Sequence, residues 1–196
     1  MEQEFLNSLK NSTPKIQDFK GYIDADDELK VIAQKLKTSS KYLSEIEPNR
    51  IKFFYTNKPK KKGDNYEIFN LMLRNEIEKN IEEAYDYILT VYYAVWAQLD
   101  PKQKVISLDK ALCGIDFGKG EEIKLGKASP DCSEFKDNMK EYGATEVMNT
   151  SEIISLACVR IAEEAKEAKK QAKADKAAKK AAKKNGNAQT ADALAV

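Results

Sequence analysis

Two short stretches dense in β-branched and aromatic residues, Ile51-Lys52-Phe53-Phe54-Tyr55 and Tyr85-Asp86-Tyr87-Ile88-Leu89-Thr90-Val91-Tyr92-Tyr93, stand among longer stretches whose apolar residues recur every three or four positions. The first pattern fits a pleated, half-buried strand, and the second puts one apolar face on a helix. A chain that mixes them is expected to fold as an α+β domain, a short sheet packed on helices. Leu29, Ile32, Ala33 and Leu36 form one such stripe, capped by Asp26 or Asp27 and ended or bent at Thr38-Ser39-Ser40. A second helix is expected from Pro101 to Leu112, with Val105, Leu108 and Leu112 on one side, Pro at its first position and Gly114 at its stop. Between the strands, Ile68, Leu71, Met72, Asn75 and Lys79 favour a helix over Tyr66 to Ala84, and Ala94 to Leu99 resembles a short helix.

Further along, a glycine-spaced polar loop covers Ile115 to Ser129, and a helix from about Pro130 to Tyr142 is closed by Gly143. The last helix is expected to begin near Thr150 or Ser151, with an apolar stripe through Ile154, Cys158 and Ile161. Beyond Ile161 that stripe holds only alanine, which propagates a helix but buries little. The expected organisation is therefore an N-terminal arm at 1–25, a folded domain at 26–148, a long helix turning basic at 149–184, and a flexible end at 185–196. Charge is divided the same way. From Arg160 to Lys184 there are ten Lys or Arg against four Asp or Glu, so a local +6 sits on a body carrying the balance of a formal total of +1.

Three cysteines with no CxxC pair, in a chain that opens on polar residues and contains no long apolar run, indicate a reducing compartment and no membrane. The chain contains no histidine. That removes the usual general base for a nucleophile at Cys113, Cys132 or Cys158 and the usual ligand of a zinc peptidase.

The order of segments resembles the phage metallopeptidase family. The residues that carry the resemblance are the strand at Ile51 to Tyr55, the Asn57-Lys58-Pro59 turn, the strand at Tyr87 to Val91, and Trp96 with Leu99-Asp100. They continue with Leu108-Asp109-Lys110-Ala111-Leu112-Cys113-Gly114, in register with a Leu-Asp-His-Glu-Leu-Cys-His motif, and with Asp131, Phe135, Tyr142 and Gly143. The resemblance covers roughly residues 28 to 143 and implies a zincin-like fold. In that family's motif, two histidines four residues apart share a helix face and hold Zn²⁺ while the glutamate polarises the bound water. Here Lys110 and Gly114 stand at the histidine positions and Ala111 at the glutamate position, so the resemblance implies a frame without its chemistry. An ammonium at Lys110 would repel a divalent cation by several kcal/mol at short range. No zinc and no other cofactor is expected.

A relocated metal site from Asp109, Cys113, Asp131 and Cys132 is the alternative, weighed against Cys113 as a buried small hydrophobe and Asp109 as a surface or capping residue. The run Gly114 to Gly120 lacks the spacing and hydroxyl of a phosphate loop. Candidate polyanion-binding residues are the basic turn Lys58, Lys60, Lys61 and Lys62, beside Phe53, Phe54 and Tyr55, and the tail lysines Lys169, Lys170, Lys173, Lys176, Lys179, Lys180, Lys183 and Lys184. The competing reading is a solvated hairpin tip with its aromatics inward and a solubilising tail. The function expected is that of a catalytically inactive metallopeptidase-like phage protein, in the host cytoplasm or the virion, that binds a protein partner or assembly. The alternatives are a nucleic-acid-binding or packaging accessory protein that uses the basic tail, and a structural virion component.

Overall fold

The computed structural model describes residues 3–9, 14–16, 19–62, 65–74, 85–116, 126–127 and 135–192. It is an α+β structure. A short helix α1 (Gln3–Ser8) is followed by strand β1 (Tyr22–Asp24), helix α2 (Asp26–Ser39) and strand β2 (Ile51–Thr56). Strands β3 (Lys60–Lys62), β4 (Asn65–Glu67), β5 (Phe69–Leu73) and β6 (Tyr87–Tyr92) precede the one-turn helix α3 (Tyr93–Trp96). Helix α4 (Pro101–Cys113), strands β7 (Ile115–Asp116) and β8 (Gly126–Lys127), helix α5 (Lys136–Tyr142) and helix α6 (Ala144–Asp192) complete the order.

The main sheet runs β1-β2-β6-β5. Its centre is the parallel pair β2 and β6, in the register Ile51↔Tyr87 to Thr56↔Tyr92, with β1 and β5 antiparallel on the outside. Parallel neighbours need a connection that crosses over, and the chain uses that excursion to form the β3–β4 hairpin and edge strand β5. Period-2 alternation turns Ile51, Phe53 and Tyr55 to the core, where they meet Leu29, Ile32, Ala33 and Leu36 of α2. Trp96, Tyr55, Tyr87 and Phe53 are the largest fully buried side chains, and burying each contributes on the order of 2 kcal/mol or more. At the start of α4, Asp100 accepts from the Gln103 N–H at 2.9 Å while the Gln103 side chain accepts from the Asp100 N–H at 3.0 Å, a reciprocal capping box.

Three expectations about the elements need correction. The region from Tyr66 is not helical where described: Asn65–Glu67 and Phe69–Leu73 are strands, and 75–84 lie outside the described residues. The helical spacing lost because Phe69 and Leu71 find Val91 and Leu89 opposite them on β6, and pairing outweighs local propensity. The stretch read as an arm contains β1, which pairs with β2 from Tyr22↔Thr56 to Asp24↔Phe54. The last helix begins at Ala144, because Gly143, at φ +86°, turns the chain at the end of α5 and buried Val147 and Thr150 hold the new first turns. It is helical through Asp192.

The chain divides into two compact units, 1–158 and 159–196. The first contains the sheet, the smaller helices and the first turns of α6. The second is helical to Asp192, and its side chains from Glu163 to Lys176 are exposed. Among the described residues no helix is long and apolar enough to cross a membrane.

Candidate functional site

Helix α4 carries the site. Its capping box and Pro101 fix where it starts, and buried Val105, Leu108 and Leu112 fix which side faces the core. The face carrying Ile106, Ser107, Lys110 and Ala111, with Gly114 just beyond the last turn, is thereby turned to a cleft of about 370 Å³. Ile68, Phe69 and Leu71 at edge strand β5 form part of its lining, Val147, Ser151 and Ile154 of α6 another part, and Lys127 and Phe135 also border it. The cleft is apolar at Leu71, Leu89, Phe135 and Val147, and Lys60, Lys110 and Lys127 bring three cations to it, with Glu67 as its carboxylate. Lys110 donates to the Ser151 hydroxyl at 3.1 Å, which ties α4 to α6.

Lys110, Ala111 and Gly114 therefore line one cleft together. None supplies a metal ligand: Ala111 and Gly114 have no donor atom in a side chain, and the Lys110 ammonium has no lone pair. A Cβ added at Gly114 would crowd the Ala111 carbonyl oxygen at 3.2 Å and meet Leu71 at 3.7 Å and Phe135 at 3.9 Å in ordinary contact. The donor set at these positions does not fit Zn²⁺. Among the described residues no group of three or more His, Cys, Asp or Glu could hold a metal ion.

Asp109 is neither at the surface nor capping a helix, contrary to the sequence reading. It is fully buried behind α4, where it accepts from Tyr42 and Tyr142 at 2.8 Å each and from the Cys113 thiol at 3.4 Å. Burial raises its pKa above the ordinary carboxyl value against the pull of those donors. Burial and the adjacent Asp109 carboxylate push the Cys113 thiol and both phenols well up. Cys113 is thus a neutral donor on a buried acid. Asp131 and Cys132, the other members of the relocated metal site, lie outside the described residues.

The lysine-rich features separate. Phe53 and Tyr55 are fully buried and cannot stack on a base, whereas Phe54 lies on the opposite sheet face, half-buried beside Tyr22 and Lys52. Lys58 is exposed, and Lys60 meets Glu67 at 3.6 Å in a surface pair. The side chains of Lys61, Lys62, Lys179, Lys180, Lys183 and Lys184 lie outside the described residues, as do 117–120 of the glycine-spaced run. Lys169, Lys170, Lys173 and Lys176 are exposed on α6. Sequence reasoning missed Ser151, Lys127 and the two tyrosines on Asp109, since nothing local marks residues that meet only across the fold.

Residues 20–157, more than half of the chain, match the model of a family described as Putative phage metallopeptidase. No curated protein and no solved structure matched the chain. The matched stretch includes the whole sheet, α4 and every residue lining the cleft. The chain belongs to the Putative phage metallopeptidase family.

Proposed function

We propose that this chain is a catalytically inactive member of its family that acts by binding a macromolecular partner in the cleft beside Lys110. The observation that supports this reading is the meeting of Lys110, Ala111 and Gly114 on one formed, largely apolar cleft, at the positions where the family motif carries His, Glu and His. A water-activating metal needs lone-pair donors and a base there. The cleft keeps shape and apolar surface, which are what a docking site requires. Its wall also includes β5, an outer strand of the sheet, to which an extended segment can add by main-chain hydrogen bonds. The host cytoplasm or the virion is the compartment proposed.

The test is direct. Purified full-length protein should carry no stoichiometric zinc by mass spectrometry of metals and should leave a mixed peptide substrate uncut. It should capture a partner from phage-infected cells that Ala111→Arg, filling the cleft, does not. Stoichiometric zinc together with peptide cleavage would sink the proposal.

A second reading, a nucleic-acid accessory protein, is favoured by the exposed Lys169, Lys170, Lys173 and Lys176. Its binding should weaken steeply with salt and disappear on deletion from Lys166.

A further inference from the structure

The face of the main sheet opposite the buried Phe53 and Tyr55 carries a second, smaller concavity of about 290 Å³, which adjoins the cleft beside Lys110 and shares Lys60 and Ile68 with it. It spans all four strands at one end of the sheet. Tyr22 comes from β1, Thr56 from the end of β2, Thr90 from β6 and Asn70 from β5, with Asn57, Lys58 and Lys60 at its rim. The registers Tyr22↔Thr56, Phe54↔Thr90 and Asn70↔Thr90 place these residues on one face.

Three kinds of group converge there. Tyr22, on edge strand β1, is a flat ring that is 65% exposed. It is held edge-on by Phe54, ring centres 6.2 Å apart, and Phe54 in turn lies under the Lys52 ammonium at 5.7 Å. The ring is thus braced from one side. Lys58 and Lys60 supply two cations, Lys60 from its surface pair with Glu67 at 3.6 Å, and among the described residues that line the concavity there is no carboxylate. The Lys58 N–H donates to Thr56 Oγ1 at 3.3 Å, so the chain turns at the strand end and keeps this lysine beside the sheet. Asn57 and Asn70 supply amides able both to donate and to accept, and Asn57 is anchored by its bond to the Phe19 carbonyl at 2.6 Å.

An aromatic plane, two cations and two amides match the three parts of a nucleotide: the base face, the phosphate, and the base edge or sugar hydroxyls. The volume is close to the roughly 300 Å³ lower end for small-molecule sites, enough for one nucleotide unit. We infer that this concavity binds single-stranded nucleic acid, with one base stacked on Tyr22 and the flanking phosphates on Lys58 and Lys60. A duplex does not fit this description, because its bases already stack on one another and offer no free face. The site adjoins the cleft at Lys60 and Ile68 but does not use Lys110, Ala111 or Gly114, so the inference does not rest on the proposed function.

The full-length protein is titrated with a labelled single-stranded oligothymidylate of about 12 nucleotides and with a duplex of the same length. The single strand should bind more tightly. Tyr22→Ala should weaken single-strand binding about tenfold, Tyr22→Phe should keep it within about twofold, and neither should change duplex binding. Lys58→Ala should lower the salt slope by about one phosphate contact. A 5-iodouridine version of the oligonucleotide, photo-crosslinked and mapped by mass spectrometry, should label the peptide containing Tyr22. Equal binding by the wild type and Tyr22→Ala, a preference for duplex, crosslinks confined to residues beyond 158, or no binding at all would each overturn the inference.

Discussion

The Lys104 ammonium on α4 lies 3.2 Å from the Glu28 carboxylate on α2, and both side chains are buried. The same carboxylate accepts from the Tyr55 hydroxyl and from Trp96 Nε1, the latter at 3.2 Å, and the ammonium stands 5.5 Å from the Trp96 ring centre. One acid therefore joins α2, α4, β2 and α3 beneath the cleft-bearing helix. Desolvating two charges is costly, so such a pair adds little over an apolar replacement, yet removing one partner strands the other.

Lys104→Met should therefore cost about 3–5 kcal/mol in urea unfolding. The double variant Lys104→Met/Glu28→Gln should recover much of that loss, because no bare charge remains. A single-variant cost below about 1 kcal/mol would show that the pair is solvated in solution.

Asp109 makes a pH-dependent prediction. Burial raises its folded pKa above 3.8, so the folded state binds its proton more tightly than the unfolded state does. Its contribution to stability is then greatest in acid, falls as pH rises from 3.8 through the raised folded value, and is flat above that. Replacing it by Asn in Asp109→Asn should remove this slope. Unfolding midpoints of the two proteins, measured from pH 4 upward, should show the wild type losing ground to the variant as pH rises. Parallel profiles would contradict a raised pKa at Asp109.

The described thiols should be inert. Cys158 is fully buried and its thiol is pushed up to about 11 by burial, and Cys113 is raised further by burial and by Asp109. At pH 8 the thiolate fraction at Cys158 falls on the order of a hundredfold or more below that of a free cysteine. Iodoacetamide labelling of the native protein, followed by peptide mass spectrometry, should modify both slowly until denaturant is added. Labelling of either at the rate of a free thiol would refute the burial.

Asp100→Ala removes the side-chain half of the capping box on α4. The expected loss is about 1 kcal/mol, within the 0.5–2 kcal/mol usual for a cap. Thermal unfolding reads it, and an unchanged midpoint would mean that water satisfies the first turn equally well.

Much of the frame was legible from local pattern. Ile51 to Tyr55 and Tyr87 to Tyr92 are strands because β-branched and aromatic residues crowd them, and α4 starts at Pro101 and stops at Gly114 as its punctuation requires. The motif wall of the cleft was legible too, since Lys110, Ala111 and Gly114 sit at helical spacing on one element. The opposite walls were not. Ile68, Leu71 and Met72 carry helical spacing, yet Phe69–Leu73 became an edge strand because β6 was there to pair with it. Asp109 reads as a surface acid until Tyr42 and Tyr142, 67 and 33 positions away, close over it. Phe53, Phe54 and Tyr55 look like one aromatic patch, yet strand alternation sends Phe53 and Tyr55 into the core and leaves Phe54 to brace Tyr22.

Residue identity and neighbours within a turn or a strand were enough to set the two central strands, α4, the family frame and the absence of histidine. Which residues share a surface was set by the way distant segments pack. The cleft beside Lys110, the buried acid at Asp109 and the Tyr22 platform all depend on contacts between distant segments, where pairing and burial outweigh local preference.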